Sequence, residues 1–239
     1  MTTRFDNFYA ELNKKLPGLK IAYKDESWLM KLISYFLFYN KTFMTSYTTT
    51  IGKTVYFPNR KFIQDRDFDA IDILSHEFVH ASDSERQGQI IFSFFYLFPQ
   101  SLSILMLLLL PINIIVSLLL FVVFLSPMPA YWRKLYEVRG YQMSLFTYAE
   151  LMKELNYSEE KIKETLEKAA KNFNQHFINS NYYFMWPFGV DKELSETIDK
   201  IISGDIFSVD SLYKDVLESL QTSRQIIYAP NLHNSQYNL

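Results

Sequence analysis

The sequence predicts a mainly α-helical chain with a small β-sheet, an α+β fold in a single domain over residues 1–239. Three observations carry this. Several stretches repeat apolar residues at helical spacing. One stretch, Phe43 to Phe57, is rich in Thr, Tyr, Val and Phe and turns around a glycine, as β-hairpins do. The stretch from Ile90 to Ser126 carries no charged residue, which sets it apart from its surroundings.

Residues 4 to 16 read as a short amphipathic helix. Phe5, Phe8, Tyr9, Leu12 and Leu16 share one face, and Pro17-Gly18 stops it. Leu19 to Tyr23 alternates weakly, as a strand would. Ser27 is placed to cap a helix through Trp28, Leu29, Leu32, Ile33, Phe36 and Leu37, rich enough in apolar residues for a core position. Phe43 to Thr50 and Thr54 to Phe57 then form the hairpin around Ile51-Gly52-Lys53, ended by Pro58-Asn59. An exposed edge of such a sheet can take up an extended peptide as an added strand.

The next helix, from about Phe68, with Asp65 or Asp67 as cap, carries Leu74-Ser75-His76-Glu77-Phe78-Val79-His80. This is His-Glu-x-x-His. Residues four apart lie one turn above each other on a helix, so His76 and His80 can aim their imidazoles at one metal ion. Glu77 lies about 100° round from His76. That suits a base that takes a proton from metal-activated water better than it suits a ligand. The chain has only 4 histidines in 239 residues. At that frequency the motif arises by chance roughly 0.004 times per chain, which favours a built site over coincidence.

The uncharged run divides at Pro111. Ile90 to Leu110 is long enough for one helical bilayer crossing, which takes ~20 apolar residues, whereas Ile112 to Ser126 is short for a second. The expectation is an inserted membrane hairpin or re-entrant segment over 90–126, with Pro111-Ile112-Asn113 at its tip. A single crossing would part the two histidines from a ligand beyond the run. Arg86 before it and Arg133, Lys134 and Arg139 after it place the metal site on the cytoplasmic side of a membrane. The polar, acid-bearing N-terminus is unlike a signal peptide and agrees. Tyr131, Trp132, Arg133 and Lys134 read as an interfacial belt.

Glu137 is the first carboxylate after the run, one to two turns inside a new helix. Two histidines and one glutamate leave a position open for water, as catalytic zinc requires. Asp83, on the His76/His80 face, and Glu150 are the other carboxylates in range. Ser158 to Phe177 reads as a charged amphipathic helix capped by Ser158. Asn179 to Gly189 is an aromatic loop, and two helices follow around Ser203-Gly204-Asp205. A flexible tail is expected over 228–239. Oxyanion donors of suitable type are Tyr141, His176, Tyr182 and Tyr183, with His176 and Tyr183 ranked first as catalytic partners of Glu77.

Composition narrows the chemistry. There is no cysteine, so disulfides and thiolate zinc sites are excluded, and any zinc must sit on histidine and carboxylate. The net charge of -2 gives no electrostatic footprint for nucleic acid.

His76-Glu77-x-x-His80, a hydrophobic hairpin, and a helical Glu137-x-x-Gly140-Tyr141 together resemble the gluzincin zinc metallopeptidases. The order of parts is similar to the membrane-embedded peptidases that process CaaX proteins and to their bacterial quality-control relatives. Gly140-Tyr141 departs from the Ala-Asp common there, and this chain is shorter, with one hairpin. Thr48-Thr49-Thr50-Ile51-Gly52 and Tyr182-Tyr183-Phe184-Met185-Trp186-Pro187-Phe188 also look like stretches of small HExxH proteins, some phage-encoded. The resemblance implies a zincin-like core, Zn2+ on His76, His80 and Glu137, and Glu77 as general base. It implies a peptide or protein substrate, an endopeptidase reaction and a lipid bilayer as partner. Two other classes compete. One is a zinc-binding membrane or virion structural protein; the other is a membrane scaffold or pore-forming protein. A purely structural zinc site has no use for Glu77.

Overall fold

The computed structural model of the chain describes residues 3–37, 41–126, 128–178 and 185–233. It is mainly helical with one three-stranded sheet. Helix α1 (Arg4–Lys15) begins with a reciprocal cap: the Thr3 hydroxyl accepts from the Asp6 N–H, and the Asp6 carboxylate accepts from the Thr3 N–H. Its apolar stripe buries Phe5, Phe8 and Leu12. Strand β1 (Lys20–Tyr23) follows the turn at Gly18. Helix α2 (Trp28–Phe36) is capped by Ser27, as expected, but it buries Met30 and exposes Trp28, Leu32 and Tyr35, so one face only meets the core.

The hairpin is β2 (Thr49–Ile51) and β3 (Thr54–Phe57), joined through Gly52 at φ 58. β1 pairs parallel with β3, giving the order β1-β3-β2 and leaving β2 at an edge. The first hairpin strand is shorter than the run from Phe43 suggested. The chain over 41–46 turns instead, and the Phe43 carbonyl accepts from the buried Lys24 ammonium at 2.8 Å.

Helix α3 (Arg60–Asp65), capped by Asn59, leads directly into α4 (Asp67–Gln87). Neither Asp65 nor Asp67 caps α4. Arg66 holds the cap position without a side-chain bond, and Asp67 accepts the Phe5 N–H at the start of α1. α4 ends at Gly88, φ 86. It lies along α8 (Tyr131–Glu154), and this pair is the axis of the fold. Helices α9 (Glu159–Ile178) and α10 (Val190–Ser203) cover α8. Helix α11 (Leu212–His233) returns to α1. One continuous apolar core runs from Phe5 through Ile71, Phe78, Val138 and Phe146 to Leu220.

The uncharged run corrects an expectation. It breaks into α5 (Gln89–Tyr96), α6 (Leu102–Met106), a 3-10 turn at Leu107–Leu109, and α7 (Ile114–Leu125). Among the described residues, no helix is long and apolar enough to cross a membrane. The longest of these pieces, α7, has 12 residues, a rise of about 18 Å against the ~30 Å of a hydrocarbon core. Pro99 and Pro111 lack the backbone donor that a continuous helix would need there, and Asn113 starts α7 afresh by accepting from the Val116 N–H. The transmembrane hairpin and the membrane location with a cytoplasmic-side metal site are therefore withdrawn. α6 and α7 pack on each other, with the Ser117 hydroxyl donating to the Met106 carbonyl.

The basic residues read as an interfacial belt are internal too. Arg133 is buried, its Nε donating to the Tyr96 carbonyl at 3.0 Å. Buried Lys134 pairs with Glu193, and Arg139 bridges Asp83 and Asp210. Their partners lie on other elements, out of reach of any local reading of charge.

Candidate metal centre

α4 and α8 bring three ligand-type side chains to one point. His76 and His80, one turn apart on α4, place their Nε2 atoms 3.1 Å apart. Glu137 on α8 faces both, with Oε2 3.5 Å from His76 Nε2 and Oε1 3.6 Å from His80 Nε2. No other cluster of His, Cys, Asp or Glu with metal-ligand spacing is found among the described residues.

The approach of α8 to α4 depends on Gly140. A Cβ at this position would lie 2.5 Å from Cε1 and Nε2 of His76. The imidazole occupies the space a side chain would take, so the residue one turn after Glu137 has to be glycine. Tyr141 closes the next side, its ring edge-on to His76 with centroids 4.9 Å apart.

Whether these residues fit a metal can be tested on their spacing. Zinc bonds to nitrogen and oxygen run ~2.0–2.2 Å, so the edges of a regular tetrahedron of such donors are about 3.3–3.6 Å. The two Nε2 atoms, 3.1 Å apart, and the nearest carboxylate approaches, 3.5 Å from His76 to Oε2 and 3.6 Å from His80 to Oε1, lie close to these edges, with each nitrogen facing its own Glu137 oxygen. Two imidazoles and one carboxylate are donor types that suit zinc, with His80 and Glu137 buried and His76 partly so. Burial pushes the His80 pKa down to about 4, so it stands neutral, as a ligand must. Burial would raise Glu137, but hydrogen bonding and charge from His76 and His80 outweigh it and hold the carboxyl at about 2. Burial likewise opposes charge on His76, yet Glu137 overrides it and raises that pKa. His80 Nδ1 is buried and finds no hydrogen-bond acceptor among the described residues, a departure from the supported histidines usual at metal sites.

Glu77 is buried, next to His76 on α4, and feels the charges of His76 and Glu137. The Thr50 hydroxyl, on edge strand β2, donates to its Oε2 at 2.7 Å. Burial raises its pKa, against the pull of His76 and Thr50, and Glu137 raises it further. Lys24, fully buried with its ammonium over the Phe43 ring, adds a positive charge on the same side; burial lowers its own pKa to about 7.

His176 on α9 is brought to the site's margin. Its Nδ1 is 2.7 Å from the Tyr141 hydroxyl, and burial lowers its pKa. Tyr183 and Tyr182 lie outside the described residues. Asp83 is not at the cluster: it is buried and ion-paired with Arg139. Glu150 pairs with Lys153 on the surface side of α8.

Two neighbours escape a reading of the sequence. Tyr96, at the end of α5, donates its phenol to Glu137 Oε1 at 2.5 Å. It lay inside the uncharged run and read as one more apolar residue. Asp72, one turn before His76, is buried with Oδ1 unpartnered, and burial raises its pKa to about 6. It borders a polar cavity of 590 Å³ with Asp69, Arg66 and Tyr148. No protein-family model, curated protein or solved structure matches the chain.

Proposed function

We propose that this chain is a zinc-dependent peptidase with a zincin-like core, in which His76, His80 and Glu137 hold the metal and Glu77 is the general base. The observation that carries the reading is the meeting of both Nε2 atoms and the Glu137 carboxylate within 3.1–3.6 Å of one another, with Glu77 adjacent on the same helix. It is the arrangement the resemblance to gluzincins implies.

Zinc bound there would supply Lewis acidity toward water and toward a peptide carbonyl. The remaining work falls to the chain. Thr50 fixes one Glu77 oxygen, leaving the other for a proton from the attacking water. The upward shift of the buried Glu77 brings its basicity closer to neutral pH, where a base both accepts and returns protons well. The same carboxyl can then pass the proton to the departing amine. The Tyr141 hydroxyl and His176 Nδ1 share a hydrogen bond; in the tautomer where Tyr141 donates, the His176 proton stands on Nε2, and that tautomer is the donor we assign to the developing oxyanion. The edge strand β2, joined to Glu77 through Thr50, is where an extended polypeptide would lie as an added strand, which favours cleavage within chains.

The test is one equivalent of zinc by elemental analysis of the full chain, followed by incubation with a mixed peptide library and mass spectrometry of the products. Glu77→Gln should keep the zinc and lose at least 100-fold in turnover. Wild type that holds zinc and leaves the library intact would overturn the peptidase in favour of a structural zinc protein. Wild type without zinc removes the basis of the reading.

A further inference from the structure

The residue that reaches the ligand set from outside α4 and α8 is Tyr96. Its hydroxyl donates to Glu137 Oε1, the same oxygen that faces His80. Its ring stands edge-on to His80 at 6.0 Å between centroids and stacks near Phe92 and Tyr136. The phenol is held at the other end as well. Arg133, one turn before Glu137 on α8, donates from Nε to the Tyr96 carbonyl and lies over the Tyr96 ring at 5.3 Å. A second Arg133 nitrogen reaches Gln100 Oε1 at 3.2 Å, and Gln100 in turn donates to the Met128 carbonyl.

We propose that Tyr96 is a positioning residue of the metal centre, clamping one Glu137 oxygen so that the short helix α5 is a working part of the site. A carboxylate has two oxygens and a freely turning terminal torsion. Without a donor on one of them, Glu137 would present either oxygen, or both, to an ion. The Tyr96 hydrogen bond removes that freedom before the metal arrives. Because Arg133 ties Tyr96 to the same turn of α8, the clamp and the ligand move together. This inference rests on the metal-binding reading above. It also gives the apolar segment a chemical duty: its first helix exists in this position to deliver a phenol to the ligand helix.

The experiment compares zinc dissociation constants, by competition with a chromophoric chelator, for the wild-type chain, Tyr96→Phe and Tyr136→Phe. Tyr136 belongs to the same aromatic group, but its hydroxyl goes to Gln87. Tyr96→Phe should weaken zinc by about 10–100-fold, the cost typical of a lost support to a metal ligand. It should also alter the visible spectrum of the cobalt-substituted protein. Tyr136→Phe should leave both unchanged. Equal zinc affinity and equal cobalt spectra in wild type and Tyr96→Phe would overturn the proposal while leaving the metal centre standing. A wild type that takes up no zinc overturns both. Should Tyr96→Phe fail to fold, fluorotyrosine at position 96 of the full chain replaces it. Its fluorine resonance must shift on zinc addition, and an unmoved resonance beside bound zinc rejects the clamp.

Discussion

Gly140→Ala tests the centre without touching a ligand. The added Cβ would sit 2.5 Å from Cε1 and Nε2 of His76 and 2.9 Å from its Cδ2. Carbon atoms rest at ~3.5–4.0 Å, so the ring and the α8 backbone must part by about 1 Å. His76 has little room to retreat, with Tyr141 and His80 edge-on at 4.9 Å on its other sides. Metal–ligand distances hold within ~0.2 Å, so a shift of this size takes His76 out of the ligand set. Zinc affinity should fall at least ~100-fold, or about 2.7 kcal/mol. The metal-free fold should change little. Alanine for glycine inside a helix gains about 0.5–1 kcal/mol, and overpacking costs about 1–3 kcal/mol. The assay is chelator competition for zinc, beside urea unfolding of the metal-free chain. An alanine variant that binds zinc within threefold of wild type would falsify the close-approach account of Gly140. One that unfolds outright would show that α4 and α8 need the glycine for packing rather than for the ligand.

Asp72→Asn should raise stability at pH 7 and not at pH 3. Burial raises the Asp72 carboxyl from 3.8 to about 6, so between those values the folded state binds the extra proton. Stability falls as pH rises through that window, by up to about 3 kcal/mol, of which the amide should recover about 1–2 kcal/mol. Equal gains at both pH values in urea titrations would count against this. Arg139→Ala strands the buried Asp83 and should cost about 2–3 kcal/mol; the double variant with Asp83→Ala should regain part of it, and a strictly additive pair would refute the coupling. Zinc affinity should fall about tenfold for each pH unit once pH drops below the raised His76 pKa, because one proton must leave for the metal to bind. A pH-independent affinity between pH 5 and 8 would show that His76 is not a ligand.

The sequence made the α4 half of the centre legible because the helical repeat alone places His76 over His80. Glu137 was reachable too, as the first carboxylate past the uncharged run. Gly140 stood out only as a departure from a familiar pattern, since its purpose is a contact between two helices far apart in the chain. Tyr96 was hidden for a related reason: a phenol in a run of Ile, Phe and Leu carries no sign of a distant carboxylate. The same blindness to partners misled the reading of Arg133 and Lys134, whose mates Gln100 and Glu193 lie on other elements. The membrane hairpin failed because Pro111 was the one break expected in the run, whereas the chain also breaks around Pro99 and again before Asn113, leaving only short helices. Tyr182 and Tyr183, in the aromatic loop, lie outside the described residues.

Thr50 is the middle residue of β2, and its hydroxyl is what steadies Glu77. A strand laid on that edge repeats its pairing every two residues, and a slip by one would turn all its side chains to the opposite face. If the chain is the peptidase proposed above, Glu77 is thus fastened to a scale whose smallest division is a dipeptide. Successive cuts in one long substrate should then fall an even number of residues apart, so that the fragment lengths themselves record the pleat of the strand that held them.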